Sequence, residues 1–383
     1  MLQTGYSFGR EFFVAAWVPA PNATRPNLDG LGPLLHAESC VACHPATGRP
    51  VTFTDDGGVD VGILFRLVGA SGADPIFGGQ LQPRGLPGVP AEALITWSQN
   101  GDASLAFHFA LEPAYGEFAP TTRALPRLSP HLAGMGLLEA VPDAALLAME
   151  DPDDLDGDGI SGRAARLADD GGVGRFGWKA VQPTLASQSG AAFAGDMGIS
   201  SPGHPEDCTP AQLACRTAPN GGAPEAPRED LDAVAFFMRY LGMPAARRTA
   251  NDARVNRGHA LFEYAGCASC QRPSLRTSST APERLRDVTF YAYTDLLLHD
   301  LGPALADPIG EGAAEPAEWR TPPLWGLGIV EQDRHARFLH DGRAATLREA
   351  IRWHGGEAQR ARDRVENLSA SDVDALLTFV RSL

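Results

Sequence analysis

The sequence predicts a mainly α protein of two domains, with long loops and a small β-hairpin insertion in the first. Three observations carry that reading: two widely separated Cys-x-x-Cys sites, an abundance of glycine and proline, and helical periodicity closing each half. The 383 residues include 42 Gly and 31 Pro, with 44% hydrophobic and 21% charged residues. That length accommodates two or three cores, and the Gly and Pro content argues for long connections between short helices. Net charge is −15, which argues against nucleic acid or an anionic membrane surface as partner; it favours a basic partner, although a solvated acidic surface is the commoner meaning. No run reaches the ~18 apolar residues that span a bilayer.

The first site is Cys40-Val41-Ala42-Cys43-His44. Two thiols three residues apart, followed by an imidazole, fall on one face of a helical turn. Each thiol can form a thioether to a haem vinyl while His44 reaches the iron. A zinc reading needs a second ligand pair, and a thioredoxin-like reading needs a βαβ setting; the haem reading needs only the run itself. The second site, Cys267-Ala268-Ser269-Cys270-Gln271, repeats the thiols but has glutamine where the histidine belongs. A carboxamide oxygen is a poor iron ligand beside an imidazole.

Taken in order, residues 1–35 carry Pro19, Pro21, Pro26 and Pro33 and read as an extended arm packed on the body. They lack the charged and apolar regions of a signal peptide, so a presequence is expected to have been removed. Ile95–Ser98 and Ser104–Phe109 flank Gln99-Asn100-Gly101-Asp102, a hairpin signal. His108 in the second strand reads by default as a half-exposed strand histidine. Asp154, Asp156 and Asp158 with Gly159 form the front half of a calcium loop. The closing glutamate is replaced by Ala165, which leaves calcium binding balanced against a plain acidic turn. Cys208 and Cys215 are close together and read as a loop disulfide, rather than two free thiols, in an exported protein.

Leu231, Val234, Ala235, Met238 and Leu241 recur at helical spacing before Gly242 and Pro244. This closes a first domain at residues 1–248. In the second, 249–383, Gly258, Leu261 and Phe262 before Gly266-Cys267 resemble the entry helix of a cytochrome c domain. Ser369 is placed to N-cap a closing helix with Asp372 at N3, and Val373, Leu376, Leu377 and Val380 line one face. The fold class is therefore two cytochrome c-like haem domains.

Five runs together resemble the bacterial di-haem oxidoreductase family of peroxidase type, related to di-haem cytochrome c peroxidases. They are Gly174–Ala180, Asp196–Ser200, Tyr293–Asp300, Glu318–Gly328 and Phe338–Glu357. The resemblance implies an open haem on His44 and a relay haem in the second domain. It also implies that Trp178 stands between the haems, that Gln188 is a distal glutamine, and that Asp196-Met197 is a distal acid–methionine pair. That pair is shortened by two residues and has aspartate for glutamate. Chemically, a carboxylate near the iron suffices to move a proton between peroxide oxygens; the bland alternative for Asp196 is a helix N-cap. Counted from His340-Asp341-Gly342, His354 takes the distal ligand position of the second haem. Three outcomes stay open there: ligation by His354 alone, ligation by His354 with Gln271 as a weak partner, or no haem and a dithiol or disulfide at Cys267 and Cys270.

The expected function is a periplasmic or otherwise exported c-type haem oxidoreductase. It reduces hydrogen peroxide or another small oxidant at the His44 haem, with electrons from a small donor protein. Two haems are expected, with calcium as a further cofactor. Two other classes remain: oxidation of a protein or organic substrate, and a non-catalytic electron-transfer cytochrome with one or two haems.

Overall fold

The computed structural model describes residues 2–48, 61–70, 72–98, 108–168, 172–206, 208–246, 252–333 and 335–383. The chain groups into two compact units, each assembled from three separated segments. Unit 1 comprises Met1–Leu132, Ala186–Tyr240 and Leu339–Arg343; unit 2 comprises Ala133–Leu185, Leu241–Phe338 and Ala344–Leu383. These units differ from a single cut at 248/249, because residues 133–185 pack with the C-terminal half.

Among the described residues there are twelve α-helices and thirteen strands, so the architecture is mixed rather than mainly α. Most strands are two or three residues long, too short for an alternating pattern to be visible in the sequence. In unit 1, Ile63–Val68 is the centre of a three-stranded antiparallel sheet between Gln80–Leu81 and Arg123–Leu128. Ile63, Phe65 and Leu67 alternate into the core, as one buried face requires. Ala93–Ser98 pairs with His108–Pro113, Ser98 opposite His108. The expected hairpin exists, but its second strand extends past Phe109; the Asn-Gly turn and residues 104–107 lie outside the described residues, as does the side chain of His108.

The N-terminal segment is not an extended arm. Leu2–Val14 is a helix, and all four prolines used in that reading follow its end. It lies against the helix Arg228–Arg239 so closely that a Cβ on Gly9 would overlap the carbonyl oxygen of Ala233. Tyr6 and Phe13 pack on Phe237 with ring centroids 5.0 and 5.1 Å away. Cys208 and Cys215 form the expected disulfide, which packs beside Leu34 and Val89.

Unit 2 is built on the crossing of Ala253–Ala265 with Ala370–Arg381. Asp252 caps the first helix, accepting from the amides of Arg254 and Val255. Ser369 caps the second through the Asp372 amide at 3.2 Å, as the capping-box reading expects. Phe262, Tyr293 and Phe379 make mutual edge-on contacts at 5.4–5.7 Å, a favoured aromatic geometry. Gly266, with φ 88°, ends the first helix and turns the chain into the Cys267 site, a conformation that favours glycine. No helix among the described residues is long and apolar enough to cross a membrane.

A Cβ on Gly258 would overlap the carbonyl oxygen of Ala375 at that crossing, whereas Gly242 faces open space. Helix propensity alone favours alanine at Gly258 by about 1 kcal/mol, but overpacking against backbone costs roughly 1–3 kcal/mol. Gly258→Ala is therefore expected to lower the melting temperature of the protein and Gly242→Ala to leave it nearly unchanged, as read by thermal denaturation.

Candidate haem sites

In unit 1, Cys40–Cys43 is a single helical turn that follows extended Ser39, and the His44 amide closes it on the Cys40 carbonyl at 2.9 Å. Cys43 Sγ donates to the Val61 carbonyl at 3.1 Å, and His36 Nε2 lies 2.9 Å from the same oxygen. The turn is clamped to the end of the helix Leu185–Met197: the amides of His36 and Ala37 both donate to the Asp196 carbonyl, at 2.8 and 2.9 Å. Gly32 donates to the Met197 carbonyl at 3.0 Å.

Asp196 sits in the last turn of that helix, which excludes the N-cap reading. Its Oδ1 accepts from Gln80 Nε2 at 2.8 Å. Gln80 and Gln82 Nε2 also donate to the adjacent Gly195 carbonyl, at 2.5 and 2.7 Å. Desolvation raises the Asp196 carboxyl above the ordinary range, against the Gln80 hydrogen bond and the charges of His36 and Arg66. Asp196 in turn helps raise Cys40 to about 12, behind the larger effect of burial; acid and thiol therefore lie in each other's field. Gln82 is held by Glu92, which accepts from the Gln82 amide at 2.6 Å and from Gln212. Burial lifts Glu92 to about 8. Gln188, two turns before Asp196 on the same helix, has its side-chain oxygen buried without a hydrogen-bond partner.

In unit 2, the turn Cys267–Ser269 repeats the geometry, the Gln271 amide closing on the Cys267 carbonyl at 2.9 Å. Burial raises Cys267 to about 12. The Gln271 side-chain amide faces the carbonyls of Pro322 and Tyr293; with the amide oriented to satisfy them, its NH2 donates to Pro322 at 3.2 Å and to Tyr293. His354 follows the helix Leu347–Trp353, and its Nδ1 lies 2.7 Å from the Ala350 carbonyl. Donation there leaves Nε2 as the nitrogen with a free lone pair. A further histidine, His299, lies against the cysteine turn. Its Nδ1 is 3.5 Å from Cys270 Sγ and 2.7 Å from Glu357 Oε2, and its Nε2 is 2.9 Å from Asp295 Oδ2.

Trp178 lies in the turn after Gly177 in unit 2 and is half-buried, its carbonyl accepting from the Arg320 amide at 3.0 Å. Neighbouring Lys179 is buried, donating to the carbonyls of Pro316 and Glu318 and lying 3.6 Å from the Trp319 ring centroid. In the acidic loop, oxygens of Asp151, Asp154 and Asp156 come within 4.8 Å of one another. Asp151 therefore stands where the sequence reading put Asp158, whose carboxylate instead accepts from the Ile160 amide at 2.8 Å. Asp154 likewise accepts from the Gly159 amide, so these carboxylates cap the loop's own backbone.

The model of the family described as "Di-haem oxidoreductase, putative peroxidase" matches residues 123–383, about two thirds of the chain. The chain belongs to this family. No curated protein matches it. Among solved structures, hydrazine synthase of Kuenenia stuttgartiensis is similar at 13% identity and TM-score 0.41, covering 100% of this chain and 92% of that one. A MauG-like protein associated with microbial copper homeostasis is similar at 17% identity and TM-score 0.34, covering 72% and 78%.

Membership of the di-haem oxidoreductases implies haem cofactors, and the unit 1 residues fit one. Both thiols lie on one turn, and burial keeps the His44 ring neutral by lowering it to about 4. Its Nδ1 is buried without a partner. In unit 2 the thiols again lie on one turn, while Gln271 offers no imidazole and His299, the imidazole beside that turn, is held by Asp295 and Glu357. The sequence reading missed Gln80, Gln82 and Glu92 around Asp196, and Asp295, His299 and Glu357 around Cys270. The only available signals were the same-face spacing of Gln80 and Gln82 and the Asp295–His299 pair inside a run already noted.

Glu92 gives this buried network a pH dependence. Its pKa rises from an ordinary 4.5 to about 8 on folding, so the folded state holds the proton more tightly. That stability is complete below about 4.5 and is lost as pH rises through about 8. Glu92→Gln is expected to melt near wild type at pH 4.5 and progressively higher than wild type toward pH 8. Equal pH dependence in the two proteins would contradict this role for Glu92.

Proposed function

We propose that this di-haem oxidoreductase is a periplasmic c-type haem enzyme that reduces hydrogen peroxide at the His44 site. The observation that carries the reading is the attachment of Asp196 to the cysteine turn: its carbonyl holds the His36 and Ala37 amides, and its carboxyl is desolvated beside Cys40. The Cys208–Cys215 disulfide supports an oxidising compartment.

Haem, when bound, supplies the iron that takes peroxide and the electrons that cleave the O–O bond. Cys40 and Cys43 would hold the group covalently, and His44 would supply an imidazole nitrogen to its iron. Asp196 takes a proton from one peroxide oxygen and returns it to the other, so the two leave as water once two electrons and two protons have entered. Gln80 fixes Oδ1 of Asp196 and leaves Oδ2 for that transfer. The raised carboxyl suits the task, because general acid–base groups work best when their pKa approaches the working pH. Gln188 offers its unpartnered amide oxygen as an acceptor for the peroxide O–H. Trp178, half-buried in its turn, would relay electrons to or from a bound haem, and the net negative charge suits a small basic donor protein.

A second reading, oxidation of a protein or organic substrate, is favoured by Gln271, since an altered second site changes the relay. A long-lived oxidised form after peroxide, without an electron donor, would select it.

Asp196→Asn keeps the hydrogen bond to Gln80 after an amide rotation but cannot shuttle a proton. It is expected to slow peroxide turnover by about 10²–10⁴-fold with haem content unchanged, as followed by stopped-flow absorbance. Wild-type turnover in Asp196→Asn would sink the assignment.

A further inference from the structure

We propose that Gln212, Glu92 and Gln82 form a positioning clamp for Asp196, through which the disulfide loop Cys208–Cys215 holds the last turn of the helix Leu185–Met197. The inference rests on the peroxide reading for the role of Asp196 and deepens it, because it assigns what sets that residue's position.

A helix ends with carbonyls that no amide of its own can reach. Here the last three are all taken by groups from distant segments. Gly195 O accepts from Gln80 Nε2 at 2.5 Å and from Gln82 Nε2 at 2.7 Å. Asp196 O accepts from the amides of His36 and Ala37, and Met197 O from that of Gly32. The turn that carries Asp196 is therefore only as fixed as these donors are.

Gln80 is fixed by its strand, where it pairs with Arg66. Gln82 is fixed by Glu92, and the two exchange a pair of hydrogen bonds. The Gln82 amide donates to Glu92 Oε2 at 2.6 Å, and the Glu92 amide donates to the Gln82 carbonyl at 2.9 Å. Glu92 Oε1 accepts in turn from Gln212 Nε2. Gln212 is buried, and its side-chain oxygen accepts from the Thr209 amide at 2.8 Å. Thr209 Oγ1 donates to the Ile76 carbonyl at 2.6 Å. Thr209 and Gln212 both lie inside the ring that Cys208 and Cys215 close. The ring thus fixes the amide that fixes Glu92.

The disulfide meets the same helix end by packing. Cys215 is buried against Leu34, and the Leu34 carbonyl lies where a Cβ on Gly198 would overlap it. Partners buried in this way hold one arrangement, because each is costly to leave unpaired. Without the Gln212 amide, Glu92 lacks a donor, and Gln82 loses the partner that aims it at Gly195. Gln212 and Glu92 do not touch Asp196; they act on it through Gln82 and the Gly195 carbonyl.

Hydrogen–deuterium exchange and the pH profile of peroxide turnover, on the full-length haem-loaded protein, test the clamp. The chains compared are wild type, Gln212→Met, Gln82→Met and the two combined. Methionine keeps the volume, and the Gln82 side-chain oxygen has no partner to lose. Gln212→Met is expected to speed exchange of the His36 and Ala37 amides roughly tenfold, with haem content and exchange in the helix Ala253–Ala265 unchanged. Gln82→Met should do the same, and the combined chain should exchange no faster than either, since both break one path. Water reaching Asp196 removes part of the desolvation that raises its carboxyl, so the acid limb of turnover should move down by about half a pH unit. Cys208→Ser with Cys215→Ser should reproduce the Gln212→Met pattern. Both glutamine variants keep the disulfide, so a misfolded cysteine variant does not remove the test.

Unchanged exchange at His36 and Ala37 in Gln212→Met overturns the proposal, and so do effects that add fully in the combined chain. An acid limb that stays in place while exchange rises overturns the assignment to Asp196. Protein that turns over no peroxide sinks the peroxide reading, and exchange still decides the clamp.

Discussion

The unit 1 site depends on one carbonyl oxygen. Asp196 O accepts from two successive amides, His36 and Ala37, that lead into the cysteine turn. Its own side chain and that of Gln80 are joined at 2.8 Å. A single residue therefore fixes the position of the thiols through its backbone and presents a carboxyl through its side chain. Were the helix Leu185–Met197 to shift, both would move together. Close packing enforces this: Gly32 and Gly198 approach so tightly that a Cβ on either would overlap the neighbouring backbone.

Buried polar groups of this kind are costly unless fully hydrogen-bonded. The chain from Gln212 through Glu92 and Gln82 to Gly195 meets most of that requirement with side chains from three separate segments, the Gln82 side-chain oxygen being left buried without a partner. Unit 2 uses the same device differently, with His299 between two carboxylates at the core of its site. The two turns thus share a paired-cysteine motif but differ in the residue that follows the second cysteine, His44 in unit 1 and Gln271 in unit 2.

Local chemistry was legible in the sequence, and long-range chemistry was not. The cysteine turn, the Ser369 cap and the helix containing Leu231 to Met238 all depend on neighbours within a few residues, so their patterns could be read directly. The N-terminal helix was missed because prolines beyond Val14 coloured the reading of residues before it. Two-residue strands carry no period. Gln80 meets Asp196 across 116 positions and Ser161 meets Glu357 across 196; no spacing rule reaches so far. The family resemblance pointed to Asp196, Gln188 and His354, and the folded chain supplied what surrounds them.

Intact-mass spectrometry with peptide mapping, on protein made in a host with covalent haem attachment, tests the central claim that this chain is built around two haem-bearing cysteine turns. The account requires two haem additions, one on Cys40 and Cys43 and one on Cys267 and Cys270. A chain with the mass of bare polypeptide, or with Cys267 and Cys270 closed on each other, would contradict it.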